Sequence, residues 1–497
     1  MTDDGRPTTP PRTRYAPSPT GIPHVGNIRT AIFSWLLARH GGGQFVLRIE
    51  DTDRSRLQPG AFEGILESLR WLGMDWDEGP EVGGPYGPYV QSRRLARYRA
   101  AADRLLVQGD AYECWCSSER LDAVRAEQQR RKQPPGYDRR CRDEAGRATA
   151  RREAEAEGRS AVVRFKTPLA GSVTLDDAIH GPMTWDVATL DDFVILKSDG
   201  YPTYHLAYIV DDQDMRITHV LRGDEWIPSA PRHLLLYRAL GIEPPVIAHT
   251  PRILGPDGAK LSKRHGATSV FEYREQGYLP EALFNFLALI GWSYDDKTEV
   301  MTREELIERF TLDRVVKNPA MFNAEKLLWM NGVYIREMPE ERIVPLLADW
   351  LDRGLPAEVA RPIDRGLVAR IAPLVRERIK LLSEVVAYAD FFFVDELRYT
   401  HEDLLGKAYA SRADDARTAL ERAQVALEAV SAWSHEAIEA ALRGLAQEMG
   451  AKAGDLFALV RVAVTGRRVT PPLFESMELL GRERCLARIA GAIALLR

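Results

Sequence analysis

At 497 residues the chain has room for about three to five domains of ordinary size, which excludes a small single-domain ligand carrier. Its 45% hydrophobic and 28% charged residues are those of a folded globular protein and not of a disordered one. The formal charge of −5 excludes a polycation that holds nucleic acid indiscriminately, so any nucleic-acid surface must be local.

The opening MTDDGRPTTPPRTR carries two early acids and three prolines and no apolar run behind a basic head. It does not read as a secretory signal, and a cytoplasmic location is expected. The apolar stretches at 31–38 (AIFSWLLA) and 283–290 (LFNFLALI) fall short of the about 18 residues that span a bilayer. From Thr13 to Asp53 a short run, a Pro/Gly turn, a helix over 27–39, glycines and a strand over 44–49 form a β-turn-α-β opening. That alternation predicts a parallel sheet whose strand ends carry a ligand site.

Residues 117–159 hold twelve Lys/Arg against nine Asp/Glu and almost no large apolar residues, and read as a solvated, partly irregular insertion. Alternating runs at 161–165, 173–175 and 194–196 predict strands of an insertion that rejoins the first domain, and strand character resumes at 208–210 and 217–221. Beyond Pro280, apolar residues at helical spacing, such as Ile438, Leu442, Leu445 and Met449, make the C-terminal half helical. There is no fixed-period repeat. Four cysteines are too few for a disulfide framework, and Cys114, Cys116 and Cys141 cluster while Cys485 stands alone, which points to metal before disulfide.

Two constellations carry chemistry. PSPTGIPHVGN at 17–27 ends a strand, turns on glycine and opens a helix, where unpaired N–H groups and the helix dipole favour phosphate and a histidine can donate as charge develops. KLSKR at 260–264, bracketed by Gly255, Pro256, Gly258 and Gly266, is a basic loop able to close over a triphosphate. Taken singly these are a turn with a structural histidine and a solvated charge run. In one chain and in this order they resemble the two signatures of class I aminoacyl-tRNA synthetases.

The resemblance narrows to bacterial glutamyl-tRNA synthetases through RYAPSPTGIPHVGN, LRIEDTDRSR at 47–56, SDGYPTYHLA at 198–207, RGDEW at 222–226, LPEALFNFLALIGW at 279–292, FNAEKLLWMNGVYIRE at 322–337 and VAVTG at 462–466. It implies an α/β Rossmann-type catalytic domain (10–88 and 191–250) with an α+β acceptor-binding insertion (89–190). An all-α stem-contact domain (251–339) and two all-α anticodon-binding domains (340–388, 389–497) would follow. It implies ATP-dependent activation of L-glutamate to an adenylate and transfer to tRNA(Glu) by a monomer, with Mg²⁺ riding on the ATP. Whether tRNA(Gln) is a second acceptor is left open.

By similarity Arg14 pairs the substrate side-chain carboxylate, Ala16 and Ser18 frame the pocket, Glu50 takes the α-ammonium, and Tyr204, Tyr208 and Arg222 line it. A planar guanidinium grips a carboxylate with two parallel hydrogen bonds, which lysine cannot do. ATP falls to His24, Gly26, Asn27, Glu225, Lys260, Lys263 and Arg264, with His24 and Lys263 assisting the chemistry, and the anticodon to Arg378. The sequence departs from the family at Tyr208, where a small polar residue is common, and at Gln213 and Asp214, where His-Leu is familiar. Cys114, Cys116 and Cys141 resemble a zinc site of some members, with Tyr137 or Asp143 as the fourth ligand; three reduced thiols are the alternative. Glutaminyl-tRNA synthetase is disfavoured by RIEDTD at 48–53 and by the helical C-terminus, and a metabolite adenylyltransferase has no use for that C-terminus.

Overall fold

The computed structural model describes residues 9–266 and 268–497, apart from the Lys263 side chain. The chain divides into two compact units, one running to Tyr273 and joined by Leu283–Asn323, the other made of Arg274–Ala282 and Ala324–Arg497. Among the described residues no helix is long and apolar enough to cross a membrane.

The first unit opens with β1 (Arg12–Tyr15), α1 (Val25–His40) and β2 (Gln44–Leu47), with β1 and β2 parallel and Arg14 opposite Val46. Parallel strands need a crossover, and α1 supplies it with an almost wholly buried surface from Val25 to His40. After α2 (Ala61–Trp71) and α3 (Leu95–Gln108) comes the insertion. It contains β3 (Ala111–Cys114), α4 (Ser118–Arg130), α5 (Glu144–Ala156), β4 (Val162–Phe165), the hairpin β5 (Ser172–Asp177) and β6 (Gly181–Asp186), and β7 (Val194–Leu196). Strands β3, β4 and β7 form one antiparallel sheet, and β5–β6 pair with each other as a two-stranded ribbon.

The chain then returns through α6 (Tyr204–Asp214), β8 (His219–Gly223), α7 (Ala230–Leu240) and β9 (Val246–Thr250), with β8 and β9 parallel and Arg222 opposite His249. Thr218 donates its N–H to the Arg12 carbonyl at 2.9 Å and its hydroxyl accepts from Arg12 N at 2.7 Å, so β8 runs beside β1. The strands therefore follow the order β2, β1, β8, β9, and their C-terminal ends face one side, as parallel sheets with ligand sites require. A two-residue parallel ladder between Ile253–Leu254 and Ala320–Met321 adds to an otherwise helical stretch.

Three readings of the sequence are corrected. Residues 208–210 are not strand but the middle of α6: a continuous apolar run has no period, and here length decides for the helix, since residues 206–212 are all buried. The insertion at 117–159 is mostly two helices, α4 and α5, capped by Ser117 and Asp143. Its few apolar positions concealed them. Strand β9 was not anticipated either, because VIAHT at 246–250 is a short segment.

The second unit is helical and has two cores. One gathers Leu279 and Ala282 with side chains from Ile335 to Phe392, and the other gathers Leu404 to Leu496, including the Leu420, Ala423 and Leu427 face and the lone Cys485.

Candidate active site

A cavity of about 810 Å³ opens at the C-terminal ends of β1, β2 and β8. It brings together Arg14, Ala16, Ser18, Glu50, Tyr204 and Arg222 with His24, Gly26, Asn27, Glu225 and Lys260. Residues scattered over some 250 positions converge because Arg14, Glu50 and Arg222 sit in or just after strands of one sheet, while His24 to Asn27 and Tyr204 open the helices α1 and α6 and Lys260 lies in a loop. The cavity is also lined by Arg29, Lys197 and Trp226, which the sequence reading missed. A guanidinium inside an apolar helix and a lysine at a strand end carry no sequence mark of a site.

The floor is an ionic network. Arg14 in β1 donates Nε to Asp212 at 3.2 Å and a terminal nitrogen to the Leu221 carbonyl at 3.3 Å. Arg48, just past β2, is 0% exposed and holds Asp212 at 2.6 Å and Glu50 at 3.0 Å. Arg94 pairs with Asp211 at 2.6 Å, and Tyr98 donates its hydroxyl to the same carboxylate at 2.9 Å. Buried charges at these positions are tolerable only because each is met by its opposite and by further hydrogen bonds. Burial still raises the Glu50 pKa above the ordinary carboxyl value, against the pull of Arg48 and Arg14.

The nucleotide side is built on the α1 N-terminus. His24 is its N-cap, accepting the Gly26 N–H on Nδ1 at 3.1 Å. Accepting there puts the ring proton on Nε2, and burial followed by the Lys260 charge lowers its pKa, so the ring is neutral. Glu225 folds back over Gly223 so closely that a Cβ there would lie 2.1 Å from its Oε2, and any larger residue would displace that carboxylate. The loop carrying KLSKR is pinned by His265, which accepts the Ser262 N–H at 3.1 Å and pairs with Asp257 at 3.1 Å.

Several expected site residues are not where the sequence placed them. Tyr208 does not line the cavity: it is fully buried one layer below, stacked on Tyr204 at 5.3 Å with the Arg222 guanidinium 5.4 Å from its ring. An aromatic at this position of α6 packs inward because its helix face is the core. Arg264 is exposed and paired with Asp257 at 2.9 Å, outside the lining. The Lys263 side chain lies outside the described residues. The two departures near Tyr208 lie outside the cavity: Asp214 pairs with Arg94 at 2.8 Å and Arg97 at 2.7 Å, and Gln213 is exposed.

In the insertion, the Cys114, Cys116 and Cys141 sulfurs lie within 4.8 Å of one another. The Tyr137 hydroxyl is 3.3 Å from Cys114 Sγ and 3.7 Å from Cys116 Sγ and accepts the Cys141 N–H at 2.9 Å. Asp143, the other fourth-ligand candidate, is instead the N-cap of α5, accepting the Gly146 N–H at 2.7 Å. It is exposed and does not join the thiols. Arg378 is exposed in the turn after the helix Arg365–Val375.

Comparison with known proteins agrees with this geometry. Residues 11–329 match the family of tRNA synthetases class I (E and Q), catalytic domain, and residues 342–493 match an anticodon binding domain. Glutamate–tRNA ligase of Dehalococcoides mccartyi is 54% identical over 483 residues, covering 97% of this chain and 98% of that protein. The chain belongs to the glutamate–tRNA ligase family of class I tRNA synthetases. Another relative, the Roseiflexus castenholzii glutamate–tRNA ligase, is 47% identical and covers 98% of this chain and 97% of its own. A crystal structure of a glutamate tRNA ligase from Elizabethkingia meningosepticum in complex with its amino acid superposes with a TM-score of 0.88 at 36% identity. It covers 98% of this chain and 100% of that one. The α/β class I catalytic domain and the helical anticodon region expected from the signatures are thus the fold of this family member.

Proposed function

We propose that the chain ligates L-glutamate to tRNA(Glu) in two steps. ATP and glutamate first give glutamyl adenylate and pyrophosphate, and the terminal ribose hydroxyl of the tRNA then takes the glutamyl group and releases AMP. The observation that carries this is the joining, in one cavity, of two guanidiniums and a carboxylate with a helix N-terminus capped by a neutral histidine. Arg14 and Arg222 match the side-chain carboxylate of the amino acid and Glu50 its ammonium, while the turn at 24–27 and Lys260 suit a triphosphate. The α-carboxylate attacks the α-phosphorus itself, so the protein needs no nucleophile and contributes position and charge stabilisation. Mg²⁺ enters with the ATP phosphates, as in tRNA synthetases generally.

His24 is assigned to the transferring phosphate through its Nε2 proton. His24→Asn keeps a side chain able to cap α1 and loses that donor. It is expected to lower the adenylation rate about 10²- to 10³-fold, with KM for glutamate within about threefold. A larger change in glutamate KM than in rate would remove the assignment. Lys263 and Arg264 remain assigned to the leaving pyrophosphate by the KLSKR signature.

The insertion 89–190 is assigned to the acceptor end, 251–339 to the stem, and 340–388 and 389–497 to the anticodon. The anticodon-domain match at 342–493 and the exposure of Arg378 support the last. The donor set of the insertion fits zinc: three thiol sulfurs with a phenol oxygen among them, and Arg164 stacked 3.8 Å from the Tyr137 ring to favour anionic ligands. Cys114, Cys116, Cys141 and Tyr137 would hold it, in a structural role. One zinc per chain is expected by elemental analysis of the purified protein, falling sharply in Cys116→Ser; zinc-free protein with all thiols titratable would sink this.

Charging of tRNA(Glu) and tRNA(Gln) transcripts with radiolabelled glutamate and glutamine tests the function. Glutamate on tRNA(Glu) is expected, and glutamate on both would make the enzyme non-discriminating. Glutamine charging, or none, would overturn the reading.

A further inference from the structure

Behind the cavity runs a chain of buried groups that the amino-acid site as described does not use. Asp177 ends β5, in the insertion hairpin, and the next residue, Ala178, donates its N–H to the Ile247 carbonyl of β9 at 2.9 Å. Asp177 Oδ2 meets His249 Nδ1 at 2.6 Å. His249 Nε2 accepts from Arg222 Nε at 3.0 Å. Both terminal nitrogens of Arg222 lie 3.3 Å from His233 Nδ1, and His233 Nε2 lies 2.9 Å from His205 Nδ1. Asp177, Arg222, His233 and His249 are all buried.

The protons in this chain are determined by one fact: a guanidinium has donors and no acceptor. Each imidazole nitrogen facing Arg222 must therefore accept. His249 then carries its proton on Nδ1 and gives it to Asp177, and His233 carries its proton on Nε2 and gives it to His205. Asp177 is a pure acceptor, since it also takes the N–H groups of Ile179 at 3.0 Å, His180 at 2.9 Å and His249 at 3.1 Å. Burial alone would raise its pKa, but the hydrogen bonds from His249 and His180 hold it below the ordinary carboxyl value. Protonating His249 or His233 would set N–H against N–H beside a buried cation. Burial, then the Arg222 charge, accordingly depress His233 far below the usual histidine value, and burial lowers His249.

The consequence lies in what Arg222 does not touch. Arg14, Arg48 and Arg94 each contact a carboxylate of the floor, whereas among the described residues none lies within ion-pair distance of Arg222. Its counter-charge, Asp177, stands one imidazole ring away. The guanidinium is stabilised as a cation and fixed in orientation; its terminal nitrogens each direct one hydrogen at His233, and the second hydrogen of each is taken by no carboxylate among the described residues.

We propose that His249, with Asp177 behind it, and His233 are positioning residues that hold Arg222 through neutral acceptors and so leave its remaining N–H groups for the side-chain carboxylate of the bound amino acid. The relay favours glutamate over glutamine, because an amide presents an NH₂ group to donors already pointing at it. This rests on the glutamate-ligating function proposed above.

Aminoacylation of tRNA(Glu) by the full chain tests it with His249→Leu and His249→Gln. The leucine removes the acceptor; the glutamine Oε1 replaces Nε2 and accepts from Arg222 without reaching Asp177 in the same way. His249→Leu is expected to raise KM for glutamate about 10- to 100-fold and to cut the glutamate-over-glutamine preference by a similar factor, with KM for ATP within about threefold. His249→Gln is expected to recover most of that loss. Equal loss in both variants, or a parallel rise in KM for ATP, would mean a merely structural histidine and overturn the proposal. Histidine ¹⁵N spectra of the wild-type chain provide a second readout that needs no variant to fold: Nδ1–H for His249 and Nε2–H for His233 are expected, and the opposite tautomer at either overturns it. A wild-type chain that charges no glutamate would remove the function, while the tautomers would still report on the relay.

Discussion

Arg14→Ala is expected to reduce kcat/KM for glutamate by about 2 to 5 kcal/mol of transition-state stabilisation, between about 30- and 5,000-fold. The guanidinium is buried, held from behind by Asp212 and by the Leu221 carbonyl, and faces the cavity. Removing it takes away a partner of the substrate carboxylate and leaves Asp212 to Arg48 alone. Because the contact exists with bound glutamate before any bond changes, the loss should fall mainly on KM. Arg14→Lys keeps the charge without the fork, and so recovers only part of the binding. Steady-state aminoacylation at varied glutamate checks this; a loss in kcat with KM unchanged would assign Arg14 elsewhere.

Arg48→Ala should act on stability more than any other single change. Arg48 is fully buried and meets Asp212 at 2.6 Å, Glu50 at 3.0 Å and Asp211 at 3.6 Å. Deleting it strands carboxylates in the floor, at a cost of about 3 to 5 kcal/mol. Pulse proteolysis across a denaturant series, which reads the fraction unfolded, is the measurement. The pH dependence has a definite sign. In the variant, Glu50 loses the Arg48 charge that pulls its pKa down, so its native pKa, already raised by burial, rises further above the unfolded one and the native state binds the extra proton. Stability of the variant then falls as pH rises through that window, and its gap from wild type narrows as pH is lowered towards the ordinary carboxyl range. A gap that is constant with pH would mean that packing, not charge, is what Arg48 supplies.

The site was legible in the sequence to the extent that its residues sit inside contiguous motifs. HVGN, with its histidine at a helix N-cap, and RGDEW, whose glutamate folds back over its glycine, are local devices, so a one-dimensional pattern records them. Asp177, His233 and His249 went unread for the converse reason. Each comes from a different element, β5, α7 and β9, and has meaning only through Arg222, 45, 11 and 27 positions away. Tyr208 was misplaced for a related reason: adjacency to a pocket motif in sequence says nothing about which face of α6 is turned inward.

The sequence by itself determined the alternation of strand and helix at the start, the helical second half, the family and the chemical types gathered at the site. Periodicity, turn residues and signature spacing are properties of short segments, and those segments fold as they read. The tertiary structure alone decided the helix at 204–214, the order β2, β1, β8, β9, and the choice of Tyr137 over Asp143 beside the three thiols. It also decided that Arg222, unlike Arg14, Arg48 and Arg94, has no carboxylate within ion-pair distance among the described residues. Pairing a charge is a question of distance between remote segments, and only the packed chain sets those distances.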